Sequence, residues 1–136
     1  MSIRSRLEPL ALTLLRISTG IIMAAHGWDK LQNLTATVEQ FGAMGIPKAG
    51  VYLAIAGELG GGLGLIVGLL TPVAAFGVFC TMAVAVLHVH LKNGLFAKDG
   101  GFEYPLTLAM VALYFIMRGA GPVSLDGIFC KKKEAA

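Results

Sequence analysis

Two side chains of opposite charge lie inside long apolar stretches of this chain. Arg16 interrupts the apolar residues 10–25, and Glu58 is the one acidic or basic residue between positions 48 and 92. A charge at the centre of a bilayer costs at least ~2.5–3.5 kcal/mol, so each group needs a partner or a polar cavity. We therefore expect Arg16 and Glu58 to mark a functional interior.

Helix geometry predicts that these two charges meet. Arg16 precedes His26 by ten residues, and Glu58 follows Lys48 by ten residues, so both are expected roughly 15 Å below the outer ends of their helices. This depth predicts a salt bridge between Arg16 and Glu58. In one interpretation the pair only locks two helices together. In the other the pair lines an outward-opening cavity as its two catalytic groups, where Arg16 orients a polar headgroup and Glu58 accepts or donates a proton.

The composition indicates an integral membrane protein. Of the 136 residues, 56% are hydrophobic and only 14% are charged, and the mean hydropathy is +0.75. Soluble domains carry roughly 25% charged residues. The net charge of +3 is explained by basic residues that flank apolar segments, and no basic stripe with interleaved aromatic residues predicts a nucleic-acid partner. The expected surroundings are the lipid bilayer.

The apolar segments predict an all-α membrane protein with four transmembrane helices in a bundle. The predicted spans are residues 8–26, 49–70, 72–91 and 104–122 of one domain, 1–136. Thr71 is predicted to cap the third helix, with Pro72 in its first position. The last apolar stretch, 104–117, is short for a span, and a three-span model omits it.

The distribution of basic residues predicts the orientation in the membrane. Arg4 and Arg6 flank the first span, and Lys131, Lys132 and Lys133 follow the last one. Because basic residues near span ends prefer the cytoplasm, both termini are predicted to be cytoplasmic. This distribution favours four spans in a multi-pass protein, with the loops 26–48 and 92–103 outside.

Glycines are dense around the second buried charge, at positions 57, 60, 61, 62, 64 and 68. Several of them repeat at a spacing of four, which lets transmembrane helices approach closely. The spacing predicts close packing either within the bundle or in a homo-oligomer. The segment is not a phosphate loop, because no Lys-Ser or Lys-Thr pair follows a strand.

Three histidines, His26, His88 and His90, fall at predicted outer helix ends. Such histidines anchor helix ends or contribute to a site. No metal is predicted, because side chains two residues apart do not share a helix face. A haem held by His26 and His88 stays an alternative.

The order of short motifs along nearly the whole chain resembles the DoxX family of small bacterial membrane proteins. The motifs agree with four spans and with polar residues grouped on the outer side. They comprise Arg16, Gly20, His26-Gly27, Lys30-Leu31, Phe41, Gly45-Ile46-Pro47, Glu58, Gly61-Gly62, Gly68-Leu69, Thr71-Pro72, His88, Asn93-Gly94, Gly100-Gly101-Phe102-Glu103, Gly119, Gly121 and Ser124-Leu125-Asp126.

The resemblance implies a multi-pass protein of the bacterial cytoplasmic (inner) membrane that is a component of quinone-linked oxidoreduction. It makes Arg16, Glu58, His26, Lys30 and Glu103 candidates for a quinone or small-substrate pocket. A further candidate at the same outer side is His88.

The chain itself has no dinucleotide fingerprint, iron–sulfur cysteine set or redox cysteine pair. Quinone is therefore expected as a diffusible substrate, and a partner redox subunit is expected to supply the remaining chemistry. Two alternatives stay open: a non-catalytic scaffold that assembles redox or stress-defence partners, and a small-molecule carrier, for which no inverted repeat is recognisable.

Overall fold

The structure is a computed structural model that describes residues 2–136, and these residues form helices and turns without a β-strand. Ser2 begins the first helix, where its side chain accepts a hydrogen bond from the backbone N–H of Arg4. The helices are α1 (Ile3–Gln32), α2 (Leu34–Ala43), α3 (Lys48–Val67), α4 (Thr71–Asn93), α5 (Glu103–Arg118) and α6 (Leu125–Ala135).

Three of these helices, α1, α3 and α4, are long and apolar enough to cross a membrane. Their outer faces carry exposed apolar side chains, including Leu14, Leu53 and Phe76. Water-exposed side chains of this kind cost free energy, whereas lipid tails solvate them, so the surface fits a bilayer. The fourth predicted span corresponds to α5, which has 16 residues and is shorter than the predicted 104–122.

The first helix is longer than predicted. It continues without a break from Ile3 to Gln32, because Gly27 packs directly on the backbone of Leu59 and no proline or turn sequence follows it. Lys30 therefore belongs to α1 and not to a loop. The predicted outer loop 26–48 is correspondingly reduced and contains α2.

A tight hairpin joins α3 to α4. Gly68, at φ 68°, and Leu70, at φ 47°, both adopt the left-handed conformation, which disfavours a leucine. The Asp126 carboxylate stabilises the turn by accepting the N–H groups of Leu70 and Thr71 at 2.8 and 2.9 Å. The predicted capping by Thr71 is wrong: Leu70 occupies the cap position, and a distant carboxylate accepts the free N–H groups.

Helices α1, α3, α4 and α5 pack around a common apolar core. Its members are Leu12, Met23, Leu65, Ala75, Val78, Met82, Leu108, Ala109, Ala112 and Phe115. Helix α5 runs along the bundle: the ring of Tyr104 lies 6.4 Å from that of His26, and Arg118 lies 4.0 Å from Glu8. We call the end with His26 and Lys30 the loop end, and the end with residues 68–70 the hairpin end.

The glycines of α3 explain how closely these helices approach. A Cβ at Gly62 would collide with backbone atoms of Ala24 and Gly20 on α1, and one at Gly61 would collide with the Ala74 carbonyl on α4. The prediction of close helix packing is thus confirmed within the bundle. Gly60 differs, because nothing lies near its Cβ position.

Candidate functional site

Glu58 lies in a short π-helical turn of α3, Ala56–Gly60. An extra residue in a helical turn widens it, and such turns recur at functional sites. Only 3% of Glu58 is exposed, so its carboxylate is almost fully removed from water and lipid. A buried carboxylate needs a compensating partner.

Lys30 is that partner. Its Nζ donates to Oε2 of Glu58 at 2.7 Å, and the Lys30 side chain is 21% exposed against 4% for Glu58. Because side chains of a helix lean towards its N-terminus, Lys30 reaches back from the end of α1 to the level of Glu58. The pair thus combines a buried carboxylate with an ammonium group that is partly accessible.

The predicted salt bridge between Arg16 and Glu58 is wrong. Arg16 contacts α3 at Leu65 and Ile66, which lie seven and eight residues beyond Glu58, or roughly 10–12 Å along the helix. The depth argument failed because α1 does not end at His26. The two charges therefore occupy different levels of the bundle.

Arg16 instead holds the hairpin end together. Its guanidinium donates to the carbonyl oxygens of Leu65 and Ile66, the latter at 3.0 Å, and to that of Val123 at 2.7 Å. A cation at the C-terminal end of α3 complements the helix dipole. With 1% of its surface exposed, Arg16 is committed to backbone partners.

Two other predicted site residues lie at the loop end in different settings. His26 is exposed and precedes Lys30 by one turn of α1, with Tyr104 beside it. Glu103 is half-buried and accepts the backbone N–H of Ala97 at 2.7 Å, which fixes the turn before α5. The geometry thus brings His26 and Lys30 to one helix face and gives Glu103 a loop-closing contact.

The remaining predicted residue, His88, is exposed in a second π-helical turn, Ala85–His90. Its neighbour His90 places Nδ1 2.7 Å from the carbonyl oxygen of Gly100 and so ties α4 to the following loop. Within residues 2–136, no three His, Cys, Asp or Glu side chains converge as metal ligands do.

Sequence reasoning missed the importance of Asp126, which reaches the hairpin from 55 residues further along the chain. Its backbone N–H also donates to the Gly68 carbonyl at 2.8 Å. The only sequence signal was its place in the motif Ser124-Leu125-Asp126. Ser124 caps the next helix by accepting the Gly127 N–H at 3.0 Å.

The open side of Gly60 borders an apolar groove of about 550 Å³ between α3 and α4. Leu63, Val67 and Val73 form part of its wall. The homo-oligomer through the glycine-rich helix stays a prediction.

Comparison with known proteins assigns the chain to a family. The sequence model of the DoxX family matches residues 11–91, a range that includes both Arg16 and the Lys30–Glu58 pair. The chain belongs to the DoxX family. None of the solved structures matches this DoxX protein.

Curated relatives extend the DoxX match over most of the chain. "Putative oxidoreductase CatD" of Bacillus subtilis (strain 168) is 31% identical over 89% of this chain and 88% of its own length. "Inner membrane protein YqjF" of Escherichia coli (strain K12) is 30% identical over 93% and 98%. An "Uncharacterized protein" of Haemophilus influenzae (strain ATCC 51907 / DSM 11121 / KW20 / Rd) is 34% identical over 92% and 95%.

The family, these relatives and the apolar helices agree on where this DoxX protein resides. It is a multi-pass protein of the bacterial cytoplasmic membrane. The predicted localisation is confirmed.

Proposed function

We propose that the loop end binds the headgroup of a quinone and contributes to its reduction or oxidation. The observation that carries this proposal is the Lys30–Glu58 pair, a carboxylate buried to 97% whose partner remains partly exposed. A ligand that reaches Lys30 has access to an ammonium donor and, next to it, to a group that can take up a proton. His26, one turn away on α1, contributes a third polar group.

In the proposed reaction, Lys30 and Glu58 have different roles. A quinone becomes a quinol by taking up two electrons and two protons. Lys30 donates a hydrogen bond to a quinone carbonyl and stabilises the negative charge that develops there. Glu58 passes protons from water at the loop end to the reduced oxygen. The electrons come from a partner redox subunit, and the reverse reaction returns them to it.

Two observations support this assignment. One relative, 31% identical to this chain, bears the name "Putative oxidoreductase CatD". Glu58 also lies in a π-helical turn, which widens the helix beside the ion pair. Arg16 is left out of the proposed catalytic groups, because its donors face the backbone of the hairpin end.

We also propose four membrane spans, with the hairpin end in the cytoplasm and the loop end outside. Helix α5 has 16 residues, about 24 Å of helix, and its contacts reach from His26 to Glu8, the length of the bundle. Snorkelling of Arg118 makes up the remaining thickness. Basic residues near the helix ends are more numerous at the hairpin end, as the orientation rule requires: Arg4, Arg6, Arg118, Lys131, Lys132 and Lys133 lie there, against Lys30, Lys48, Lys92 and Lys98 at the loop end.

The orientation is tested with Cys130, which is exposed at the hairpin end of the protein. In a Cys80→Ala variant, a membrane-impermeant maleimide is expected to label Cys130 in inverted membrane vesicles and not in intact spheroplasts. Labelling in spheroplasts alone would contradict the proposed orientation.

Quinone binding is tested through Trp28, the single tryptophan, which is exposed on α1 two residues before Lys30. Quinones quench tryptophan fluorescence, so titration of the protein in nanodiscs with a short-chain ubiquinone is expected to give saturable quenching. Glu58→Gln and Lys30→Gln are each expected to weaken binding at least ~10-fold, which corresponds to about 1.4 kcal/mol.

The matched control is Lys92→Gln, because Lys92 is an exposed loop-end lysine outside the pair. It is expected to bind like the wild type. Unsaturable quenching that is equal in all four proteins would reflect partitioning of quinone into lipid and would contradict the site. That result, with the fold intact, favours the scaffold alternative.

A further inference from the structure

Helix α6 presents an apolar face that the protein does not cover. Leu125, Ile128 and Phe129 are 37, 58 and 57% exposed, and no residue of α6 is buried. An amphipathic helix normally buries such a face against a partner. The partner of α6 therefore lies outside the bundle.

The charges of α6 indicate what that partner is. Lys131, Lys132 and Lys133 are all exposed. At 100° per residue, Ile128, Leu125, Lys132 and Phe129 occupy one sector of roughly 100°, while Lys131 and Lys133 flank it and Glu134 lies opposite. Apolar side chains flanked by lysines are typical of helices that lie in the interface of an anionic membrane.

The start of α6 is held at the level of the membrane surface. Asp126 accepts two N–H groups of the hairpin and donates its own N–H to the Gly68 carbonyl. This hairpin joins two helices that are long and apolar enough to span the bilayer, so it lies where the hydrocarbon ends. A helix that begins there has the phospholipid headgroups beside it.

We propose that α6 lies along the membrane surface at the hairpin end and binds anionic phospholipids. Ile128 and Phe129 insert at the boundary between headgroups and acyl chains. Lys131 and Lys133 contact phosphate groups, and Lys132 snorkels from the apolar face to the same level. The exposed Arg4 and Arg6 at the start of α1 add positive charge to this end of the protein.

The test measures the depth of single positions on α6 in the full chain. In a Cys80→Ala, Cys130→Ala background, spin labels are attached to Ile128→Cys, Phe129→Cys or Glu134→Cys, and the protein is placed in nanodiscs. Their composition is phosphatidylcholine alone or a mixture with phosphatidylglycerol. Collisions with oxygen report lipid, and collisions with a water-soluble nickel chelate report water.

With phosphatidylglycerol, we expect positions 128 and 129 to be oxygen-accessible and position 134 to be nickel-accessible. The combined variant Lys131→Gln, Lys132→Gln and Lys133→Gln is expected to lower the oxygen accessibility of positions 128 and 129 and to raise their nickel accessibility. Omission of phosphatidylglycerol is expected to do the same. The control combines Lys92→Gln and Lys98→Gln, which removes loop-end charge and is expected to leave the profile unchanged.

Three results would overturn the proposal. Equal nickel accessibility at all three positions would mean that α6 extends into water. An unchanged profile without the lysines or without anionic lipid would mean apolar insertion without headgroup recognition. Dipolar broadening between labels, lost on dilution with unlabelled protein, would identify a second copy of the chain as the partner.

Discussion

The two ends of the bundle each bury a charge, but they compensate it in different ways. At the hairpin end, Arg16 is 1% exposed and donates only to backbone carbonyls. Nearer the loop end, Glu58 in the middle of α3 is 3% exposed and is paired with the side chain of Lys30, which reaches it from that end. The carbonyl groups of Leu65 and Ile66 cannot move without unwinding α3, whereas a lysine side chain changes rotamer readily.

This difference assigns different tasks to the two charges. Arg16 and Asp126 clamp the hairpin from two sides, with the cation on carbonyls and the carboxylate on N–H groups. The Lys30–Glu58 pair is the exchangeable one, because the Lys30 side chain is 21% exposed. The hairpin end is therefore expected to determine stability, and the loop end to determine ligand binding.

The largest effect on stability is expected from Arg16→Met. The substitution removes the donor of three carbonyl groups, those of Leu65, Ile66 and Val123, so the free energy of unfolding is expected to fall by about 3–5 kcal/mol, at roughly 1–3 kcal/mol for each unpaired group. Unfolding in mixed detergent micelles measures it. The control is Arg6→Met, at an exposed position of the same helix. If Arg16→Met destabilises the protein no more than this control does, Arg16 does not hold the hairpin end together.

The next largest effect is expected from Asp126→Asn. An amide has one acceptor oxygen where the carboxylate has two, so one of the N–H groups of Leu70 and Thr71 loses its partner. We expect a loss of about 1.5–3 kcal/mol in the same assay. Asp99→Asn, in an exposed loop-end turn, is expected to change little, and equal losses in both variants would argue against a specific clamp.

The middle of the bundle provides a third test through two glycines of α3. Gly62→Ala forces a methyl group against backbone atoms of Ala24 and is expected to cost about 1–3 kcal/mol. Gly60→Ala meets open space and is expected to stabilise the helix by roughly 0.5–1 kcal/mol. Opposite signs in the unfolding assay confirm the packing, whereas destabilisation by both would point to a partner at Gly60.

The smallest effect on stability is expected from Glu58→Gln. Glutamine keeps the shape and an acceptor oxygen, and the released Lys30 turns towards solvent, so the loss is expected to be about 1 kcal/mol or less. Quinone titration of the same sample is expected to show a loss of binding free energy that is larger than this loss of stability. A stability loss as great as that of Arg16→Met would make the loop-end pair structural.

Local sequence rules predicted much of the fold. Apolar segments located α1, α3 and α4, and the glycine spacing around residue 60 predicted close packing that Gly61 and Gly62 confirm. The end of α1 is misplaced by the sequence because His26 resembles an interfacial residue. Because of this error of a few residues, the predicted first helix does not include Lys30.

The pairing of charges was not accessible to the same rules. Whether Glu58 faces Lys30 or Arg16 depends on how two helices are rotated and shifted, which hydropathy does not specify. Asp126 was missed for a related reason, since its contacts with Leu70 and Thr71 join segments more than 50 residues apart. Motif order indicated that these residues matter without indicating what they touch.

The most direct test of this account is a pair of double-mutant cycles that share Glu58→Gln. Combined with Lys30→Gln, it is expected to give a coupling energy between 0.5 and about 3 kcal/mol, as contacting residues do. Combined with Arg16→Lys, it is expected to be additive within about 0.5 kcal/mol. Strong coupling between Arg16 and Glu58, with additivity between Lys30 and Glu58, would contradict the division of tasks between the two ends.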